Sequence, residues 1–478
     1  MAIAISLTFI DKDTSAERLK TWLRAEAARL GPGQRLPATR RLIEAHHLSP
    51  LTVSRALADL SREGVIVSRP GAGTFVAQPR RRPAGLADYS WQTVALAERP
   101  ISTAGLSPIA DPPHDDDVIS LAAGYLHASL MPQAALRSAL ARAARLPDTW
   151  ERPPTAGLHA LRAWFARSAA AGIDARDVLI TSGGQSALSA AFRALVPPGA
   201  PLLFESPTYP GALAVARAAG IRPVPVPIDP DGLRPDLLAE AFARTGAQAL
   251  YCQPTYHNPT GAVLSDARRQ AVLATAATAG AFVVEDDYAR WLSHRRRPPR
   301  PLLADDADGR VVYLTSLTKV ASPSLRVGAV IARGPVASRL AATRAVDDMF
   351  VPGPMQEAAL DLVSRPLWER HLRELNRALR RRAEMLATAV ASHLPAVEAA
   401  LPAGGVHLWA ALPPGTDDGN VALAARQQGV VVMPGRPFFS AEPPGPFLRL
   451  AFCGAATEDE LDAGVRRLRA AAPELAAS

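Results

Sequence analysis

The apolar positions along the chain follow two different rhythms. Between residues 14 and 30, Leu19, Trp22, Leu23, Ala27 and Leu30 recur at helical spacing, which predicts an amphipathic helix. Gly31-Pro32-Gly33 ends it, and Leu36–Leu42 opens a second, short helix. Ser49-Pro50 starts a third, with a hydroxyl in the capping position and a proline where the missing N–H costs nothing. Val53, Ala56, Leu57 and Leu60 form its inner face, and Gly64 closes it. The period then falls to two. Val65–Arg69 and Thr74–Val76 read as the arms of a hairpin turned at Pro70-Gly71-Ala72-Gly73. From Ile119 onward, short apolar runs alternate with helical stretches. Val178–Ile180, Leu202–Phe204, Ala249–Tyr251, Ala281–Val284 and Val311–Leu314 are the strongest of these runs. That alternation predicts an α/β fold with a mostly parallel sheet.

Residues 81–118 separate the two rhythms. Scattered prolines and the acidic run Asp115-Asp116-Asp117 give this stretch the composition of an extended tether. The expected division is therefore a head over 1–80, a linker over 81–118 and a body over 119–478. Charge sharpens the division, because residues 1–82 carry 14 Lys and Arg against 7 Asp and Glu, while the whole chain nets only +8. A basic head on a near-neutral body points to a polyanion partner for the head. No apolar run is long enough to span a bilayer, so no membrane partner is expected. The opening Met1–Ile10 lacks the basic start of a signal peptide and reads as a loose arm or short strand. Two cysteines give no disulfide framework, and the ten histidines no metal-binding pair. A cytoplasmic protein without a metal site is expected.

The candidate chemistry collects where the apolar runs of the body end. After Val178–Ile180 comes Thr181-Ser182-Gly183-Gly184-Gln185, small residues at a strand-to-helix turn whose N–H groups suit a phosphate, although such turns also occur without a ligand. Tyr209 stands between Pro207 and Pro210 and offers a stacking face, or packs on its neighbours as an ordinary loop tyrosine. Asn258-Pro259-Thr260-Gly261 is a stiff bend. Glu285-Asp286-Asp287-Tyr288 puts carboxylates at the end of a buried run, where α/β folds place their ligand sites. Val311–Ser316 leads to Lys319, and Arg326 follows before a second apolar run. A lysine between buried strands is costly unless its charge is used or neutralised. One use is a Schiff base to an aldehyde, with the arginine holding an anionic group; a solvated loop is the other.

Three short helices and a hairpin form the winged helix-turn-helix pattern, whose third helix enters the major groove. The order Gly-x-Arg-Leu-Pro-x-Thr-Arg (33–40), Ser-x-x-Thr-Val-x-Arg-Ala-Leu (49–57) and Arg-Pro-Gly-x-Gly-Thr-Phe-Val (69–76) resembles the GntR family of bacterial repressors. The resemblance implies double-stranded operator DNA as partner. It assigns its contacts to Arg40, to Ser49, Thr52 and Arg55 of the recognition helix, and to Arg69 and Gly71 of the wing. Pro50 and Leu51 follow the cap where the family usually has an arginine.

The body motifs, in their order and spacing, resemble the fold-type I, pyridoxal-phosphate-dependent aminotransferases of class I/II over about residues 119–470. That likeness implies a large domain with a mostly parallel sheet and a smaller C-terminal α+β domain. It implies pyridoxal 5'-phosphate as cofactor, with Lys319 as its covalent anchor and Asp286 on the pyridine nitrogen, Asp287 being the alternative register. Asn258 and Tyr288 would bond the phenolic oxygen, and Tyr209 would stack on the ring. Ser182, Gly183, Gly184, Gln185, Ser316 and Arg326 would hold the phosphate. Arg449, in Phe447–Phe452, would clamp a substrate carboxylate, and Gly124 and Tyr125 belong to the segment that closes over it. Gly404, Gly405 and His407 match a small-domain substrate loop, where a lone histidine is more often structural. A tyrosine that the family supplies across the dimer is missing around Trp150–Gly157.

Head, tether and body together resemble the MocR subgroup of bacterial transcription regulators. The resemblance implies a homodimer that binds promoter DNA and senses pyridoxal phosphate, an amino acid or an amine in its body. The alternative is a working aminotransferase with an accessory DNA-binding head.

Overall fold

A computed structural model describes residues 15–69, 72–77, 89–96, 117–294 and 297–476. They fall into two compact units, Met1–Pro100 and Ile101–Ser478. Of the segment read as a tether, most lies outside the described residues; Ser90–Ala95 is a short helix with no buried side chain.

The first unit contains α1 (Ser15–Leu30), α2 (Thr39–His46), α3 (Pro50–Arg62), β1 (Ile66–Arg69) and β2 (Gly73–Val76). Leu19 and Leu23 of α1 pack with Val53, Ala56 and Leu60 of α3 in a closed core. Trp22 is on the rim, 39% exposed, its ring edge-on to His46 at 4.8 Å. The second helix starts at Thr39, later than the apolar pattern suggests. Leu36 N–H donates to the Thr74 carbonyl at 2.8 Å, so the chain before it is extended along the hairpin. Pro37 also disfavours helix for the residue before it. Ser49 caps α3 as expected, its Oγ accepting from Thr52 N–H at 3.1 Å. The hairpin pairs antiparallel from Ile66↔Val76 to Arg69↔Gly73.

In the second unit, after β3 (Ile119–Ser120), eight strands build the main sheet. They are β4 (Val178–Thr181), β5 (Pro201–Ser206), β6 (Arg222–Asp229), β7 (Gly232–Leu233), β8 (Ala249–Cys252), β9 (Phe282–Asp286), β10 (Val311–Ser316) and β11 (Gly328–Ile331). Their order is β4-β11-β10-β9-β8-β5-β6-β7. β10, β9, β8, β5 and β6 are mutually parallel, whereas β11 runs against both neighbours and β7 against β6. The expected mostly parallel α/β sheet is present. A smaller antiparallel sheet follows, with β12 (Glu398–Ala399), β13 (His407–Ala411), β15 (Met433–Pro434) and β16 (Phe447–Ala451) in the order β12-β13-β16-β15. β14 (Val430–Val431) returns to pair parallel with β3. With the 28-residue helix Pro366–His393, these elements form the α+β part.

Each face of the main sheet has its own core, because side chains alternate along a strand. Val283 and Tyr313 point to one, Val284 and Leu314 to the other. On the second face Phe192, from the helix Gly184–Leu195, meets the rings of Phe204 and Tyr251 edge-on at 5.7 and 5.6 Å. All three are fully buried, and Tyr251 reaches from among them to Asp286 at the end of β9. Phe192→Ala should therefore cost about 3–5 kcal/mol, read as a lower urea midpoint for unfolding of the body.

Candidate functional site

A parallel sheet presents the carboxyl ends of its strands along one edge, and the chain leaves β4, β5, β8, β9 and β10 there. β11 runs the other way, so the loop Leu317–Val327 brings the chain back to the same edge. A cavity of about 360 Å³ opens over this edge. Of the residues singled out for the body, Gly124, Tyr125, Gly184, Gln185, Tyr209, Asn258, Asp286, Tyr288, Ser316, Lys319, Arg326 and Arg449 all line it. A larger groove of about 1580 Å³ runs along β6 and past Trp409 and Phe447, and none of the anticipated site residues lines it.

Lys319 donates from Nζ to the Gly124 carbonyl at 2.8 Å, and the ammonium lies 3.8 Å from the centre of the Tyr125 ring. Burial pushes its amine down to about 8; Arg449 and Arg326 act in the same sense, and Cys453 and Asp286 against it. An amine so placed spends part of its time neutral near pH 8, the form that attacks a carbonyl.

Asp286 and Asp287 are separated by the alternation of the strand. Asp286 lines the cavity, whereas Asp287 turns to the opposite face, where its Oδ2 accepts from Tyr313 at 2.8 Å and lies 3.7 Å from Arg290. Asp286 Oδ2 accepts from Tyr251 Oη at 2.8 Å and from Gln253 Nε2 at 3.0 Å. Among the described residues no hydrogen bond engages Oδ1, which leaves it for a donor in the cavity. Burial pushes this carboxyl up to about 6, with both hydrogen bonds pulling it back toward ionisation. Tyr251 and Gln253 were not anticipated as site residues. The available signal was a phenol inside an apolar strand, which needs a partner for its hydroxyl.

At the other end of the cavity, Arg326 donates to the Ser182 carbonyl, and Ser182 Oγ donates to Asp348 at 2.9 Å. Gly183 has φ 85°, and a Cβ there would sit 3.0 Å from the Arg326 guanidinium. Gly328 is similarly constrained, since a Cβ would fall 2.8 Å from the Thr315 carbonyl and 3.1 Å from Gly183 Cα. Bare backbone at both positions lets the turn at the start of the helix Gly184–Leu195 come up against Ser316 and Arg326. Helix N–H groups, a hydroxyl and a guanidinium at one spot suit an anion.

Tyr209 donates to Gln185 Oε1 at 3.3 Å, and burial raises its phenol above the usual range. Tyr288 has its hydroxyl on the Tyr256 carbonyl at 2.7 Å. Arg449, buried in β16, donates to Asn258 Oδ1 at 3.2 Å and to the Ala122 carbonyl at 2.6 Å. His407 also lines the cavity, although its position suggested a structural role. Trp150, where the family tyrosine is missing, is 74% exposed.

The head residues occupy one kind of surface. Arg40 of α2 is almost fully exposed and 3.4 Å from Glu44. Thr52 and Arg55 lie on the first turns of α3 behind the Ser49 cap, and Leu51 is 62% exposed beside them. Arg69 of β1 lies 5.0 Å from the centre of the Phe75 ring. Gly71 lies outside the described residues.

Comparison with known proteins agrees with both halves. Residues 116–468 match the aminotransferase class I and II family, and residues 12–76 match the bacterial regulatory proteins of the gntR family. The chain belongs to the aminotransferase class I and II family. Its gntR head makes it one of the MocR-type regulators. The HTH-type transcriptional regulator TauR of Rhodobacter capsulatus is 30% identical over 450 residues, 89% of this chain and 90% of that one. The uncharacterized HTH-type transcriptional regulator YdfD of Bacillus subtilis is 26% identical over 454 residues, 93% of each chain. Among solved structures, LysN of Thermus thermophilus, an alpha-aminoadipate aminotransferase complexed with N-(5'-phosphopyridoxyl)-L-leucine, matches with TM-score 0.74 and 28% identity, covering 80% of this chain and 98% of that one. Among the described residues of this MocR-type chain, no helix is long and apolar enough to cross a membrane, and no cluster of His, Cys, Asp or Glu is placed to hold a metal ion.

The raised Asp286 carboxyl has a measurable consequence for the aminotransferase-like body. Its folded value of about 6 exceeds the ordinary 3.8, so between those values the folded state holds more protons than the unfolded one. Wild-type stability without ligand should fall as pH rises through that window. Asp286→Asn removes the titration, so its stability relative to wild type should improve from pH 4 to pH 6.5. Urea unfolding at the two pH values reads the difference, which is at most about 3 kcal/mol.

Proposed function

We propose that this protein is a bacterial transcription regulator that binds promoter DNA through its head and pyridoxal 5'-phosphate in its body, where it senses an amino acid, an amine or the cofactor itself. The observation that carries the reading is the convergence of Lys319, Asp286, Arg326 and Arg449 on one cavity. The residues fit the cofactor in kind and order: an amine of lowered basicity, a carboxylate with one free oxygen, a ring face at Tyr209 and an anion cradle at Gly183. When bound, pyridoxal phosphate supplies an aldehyde that takes up amines and an electron-withdrawing ring. Lys319 would hold the aldehyde carbon and Asp286 the proton on the pyridine nitrogen. Ser182, Gly183, Gly184, Gln185, Ser316 and Arg326 would hold the phosphate, with Asn258 and Tyr288 near the phenolic oxygen. Arg449, Gly124 and Tyr125 would face the incoming ligand.

With the cofactor bound, a ligand amine would compete with the Lys319 amine for its aldehyde, and Arg449 would favour an acid group on the ligand. If two states of the body differ in ligand affinity and in DNA affinity, ligand binding must shift DNA affinity by the differential free energy. A cytoplasmic homodimer with two heads would read two half-sites, with strong salt dependence from phosphate contacts. Pro50 stands in the place of the arginine, and the exposed Leu51 after it would offer an apolar contact to a thymine methyl. The second reading, turnover as an aminotransferase, has its own support in the groups gathered around Lys319 and in the likeness to LysN.

Borohydride reduction of the protein with added pyridoxal phosphate, followed by peptide mapping, should trap the cofactor on Lys319. Lys319→Ala should lose the trapped adduct and keep its DNA affinity without ligand; an adduct retained in the variant would overturn the assignment. Arg40→Ala should weaken operator binding about three- to tenfold and lower the salt slope by about one, with the cofactor spectrum unchanged. Keto acid formed over many turnovers would favour the enzyme, whereas a ligand-dependent mobility shift without it would favour the regulator. A shift with the cofactor alone would make pyridoxal phosphate the effector.

A further inference from the structure

The chain has three lysines, Lys12, Lys20 and Lys319, so Lys319 carries the only side-chain amine of the body. What holds that amine comes from one short segment. Nζ donates to the Gly124 carbonyl at 2.8 Å, and the face of the next ring, Tyr125, lies 3.8 Å from it. A Cβ added at Gly124 would sit 3.6 Å from Nζ, so the amine is packed against the segment as well as bonded to it. All three residues line the cavity.

The segment is read by side chains through its carbonyls. Ala122 accepts from Arg449 at 2.6 Å, Ala123 and Tyr125 accept from Cys453 Sγ at 3.5 and 3.3 Å, and Gly124 accepts from Lys319. Arg449 and Cys453 belong to β16 and its exit, and they tether the segment independently of the lysine. The Lys319 contact is the one that chemistry withdraws, because its amine is the group that a carbonyl in the cavity engages. An ammonium here is disfavoured by burial; Cys453 and Asp286 favour it, and Arg449 and Arg326 oppose it. The Gly124 carbonyl takes one of its three N–H bonds. The negative face of an aromatic ring is a second source of stabilisation, and it acts on the charged form alone.

We propose that the Tyr125 ring and the Gly124 carbonyl form a dock for the Lys319 ammonium, which holds that side chain while a ligand amine occupies the carbonyl carbon in its place. In the exchange one C–N bond to Lys319 breaks and one to the ligand nitrogen forms. The ligand arrives as an ammonium and Lys319 leaves as one, so no proton is gained or lost. Whatever steadies the departing ammonium favours the ligand, and Tyr125 is thereby a positioning residue that sets how readily Lys319 gives way. An occupied dock also fastens the tethered segment to the loop after β10. The inference rests on the reading of the cavity as a pyridoxal phosphate site for amino ligands, and it adds the place to which the lysine withdraws.

The first test needs no cofactor. Reductive methylation of the full chain with formaldehyde and cyanoborohydride, followed by peptide mapping, gives the rate at Lys319 against pH. Only the neutral amine reacts, so the midpoint of the profile reports how well the ammonium is held. Tyr125→Phe keeps the ring face, and one, two or three fluorines on that ring keep its shape while draining the face of negative charge. The midpoint should stay within about 0.3 pH unit of wild type in Tyr125→Phe and fall stepwise with fluorine by about one unit in all. Tyr125→Leu should show the full fall. Wider access alone would raise the rate at every pH, and added water would lift the midpoint. A midpoint that ignores fluorine, or rises, overturns the proposal. The second test titrates the chain loaded with pyridoxal phosphate with L-alanine and with ethylamine, read by its spectrum. The trifluorinated variant should lose about three- to tenfold in apparent affinity for both, because the dock serves the lysine. A loss confined to one ligand would place Tyr125 against that ligand instead, and no loss for either would deny the dock a part in the exchange; each overturns the proposal. A wild-type protein that takes up no cofactor would sink the underlying site reading, while the methylation profile would still decide the dock.

Discussion

The body is organised around a carboxylate that is buried and yet kept largely ionised at neutral pH. Asp286 is placed at the end of a parallel strand, beneath a cavity and above an aromatic core, where water solvates it poorly. Removing a charge from water without replacing its hydrogen bonds is costly. Tyr251 and Gln253 replace them on one oxygen only. Their backbones come from the adjacent strand β8 and its exit, so the carboxylate depends on the parallel pairing of β8 with β9. The ring cluster of Phe192, Phe204 and Tyr251 holds the phenol in place from below. Core packing and site electrostatics are therefore one arrangement, and a change in the first is felt in the second.

The rest of the site follows from the direction of strands. Parallel strands deliver successive chain exits to one edge, and each exit carries one kind of group: small residues after β4, a phenol after β5, an amide after β8, an acid after β9 and an amine after β10. Bare glycine backbone at Gly183 and Gly328 removes the atoms that would hold the first and last of these apart. The small sheet brings a guanidinium and an imidazole to the same cavity from a separate part of the chain. No single segment makes the site, which is why each motif was ambiguous alone and informative in sequence.

Much of this was legible before any coordinates. The two periodicities separated a small helical head from an α/β body, and the Ser49-Pro50 start of the third helix was readable from capping chemistry alone. What escaped the sequence was set by tertiary neighbours. Trp22 has the spacing of a core residue but turns its ring to His46, a partner that only the fold supplies. Leu36 has the pattern of a helix start but belongs to the extended edge of the hairpin. Tyr251 and Gln253 look like strand and turn residues, since the acid that they serve lies more than thirty residues away. That His407 lines the same cavity could not be read from a lone histidine, which has no local pattern.

The antiparallel course of β11 has one more consequence. Because that strand turns back at once, Lys319 and Arg326 belong to a single loop pinned at both ends by adjacent strands. The amine and the guanidinium are thus spaced by one short length of chain. On the proposed reading, a ligand with a carbonyl at one end and an anion at the other would be measured by that loop as by a gauge, and a molecule longer or shorter than the gap would meet only one of its two marks.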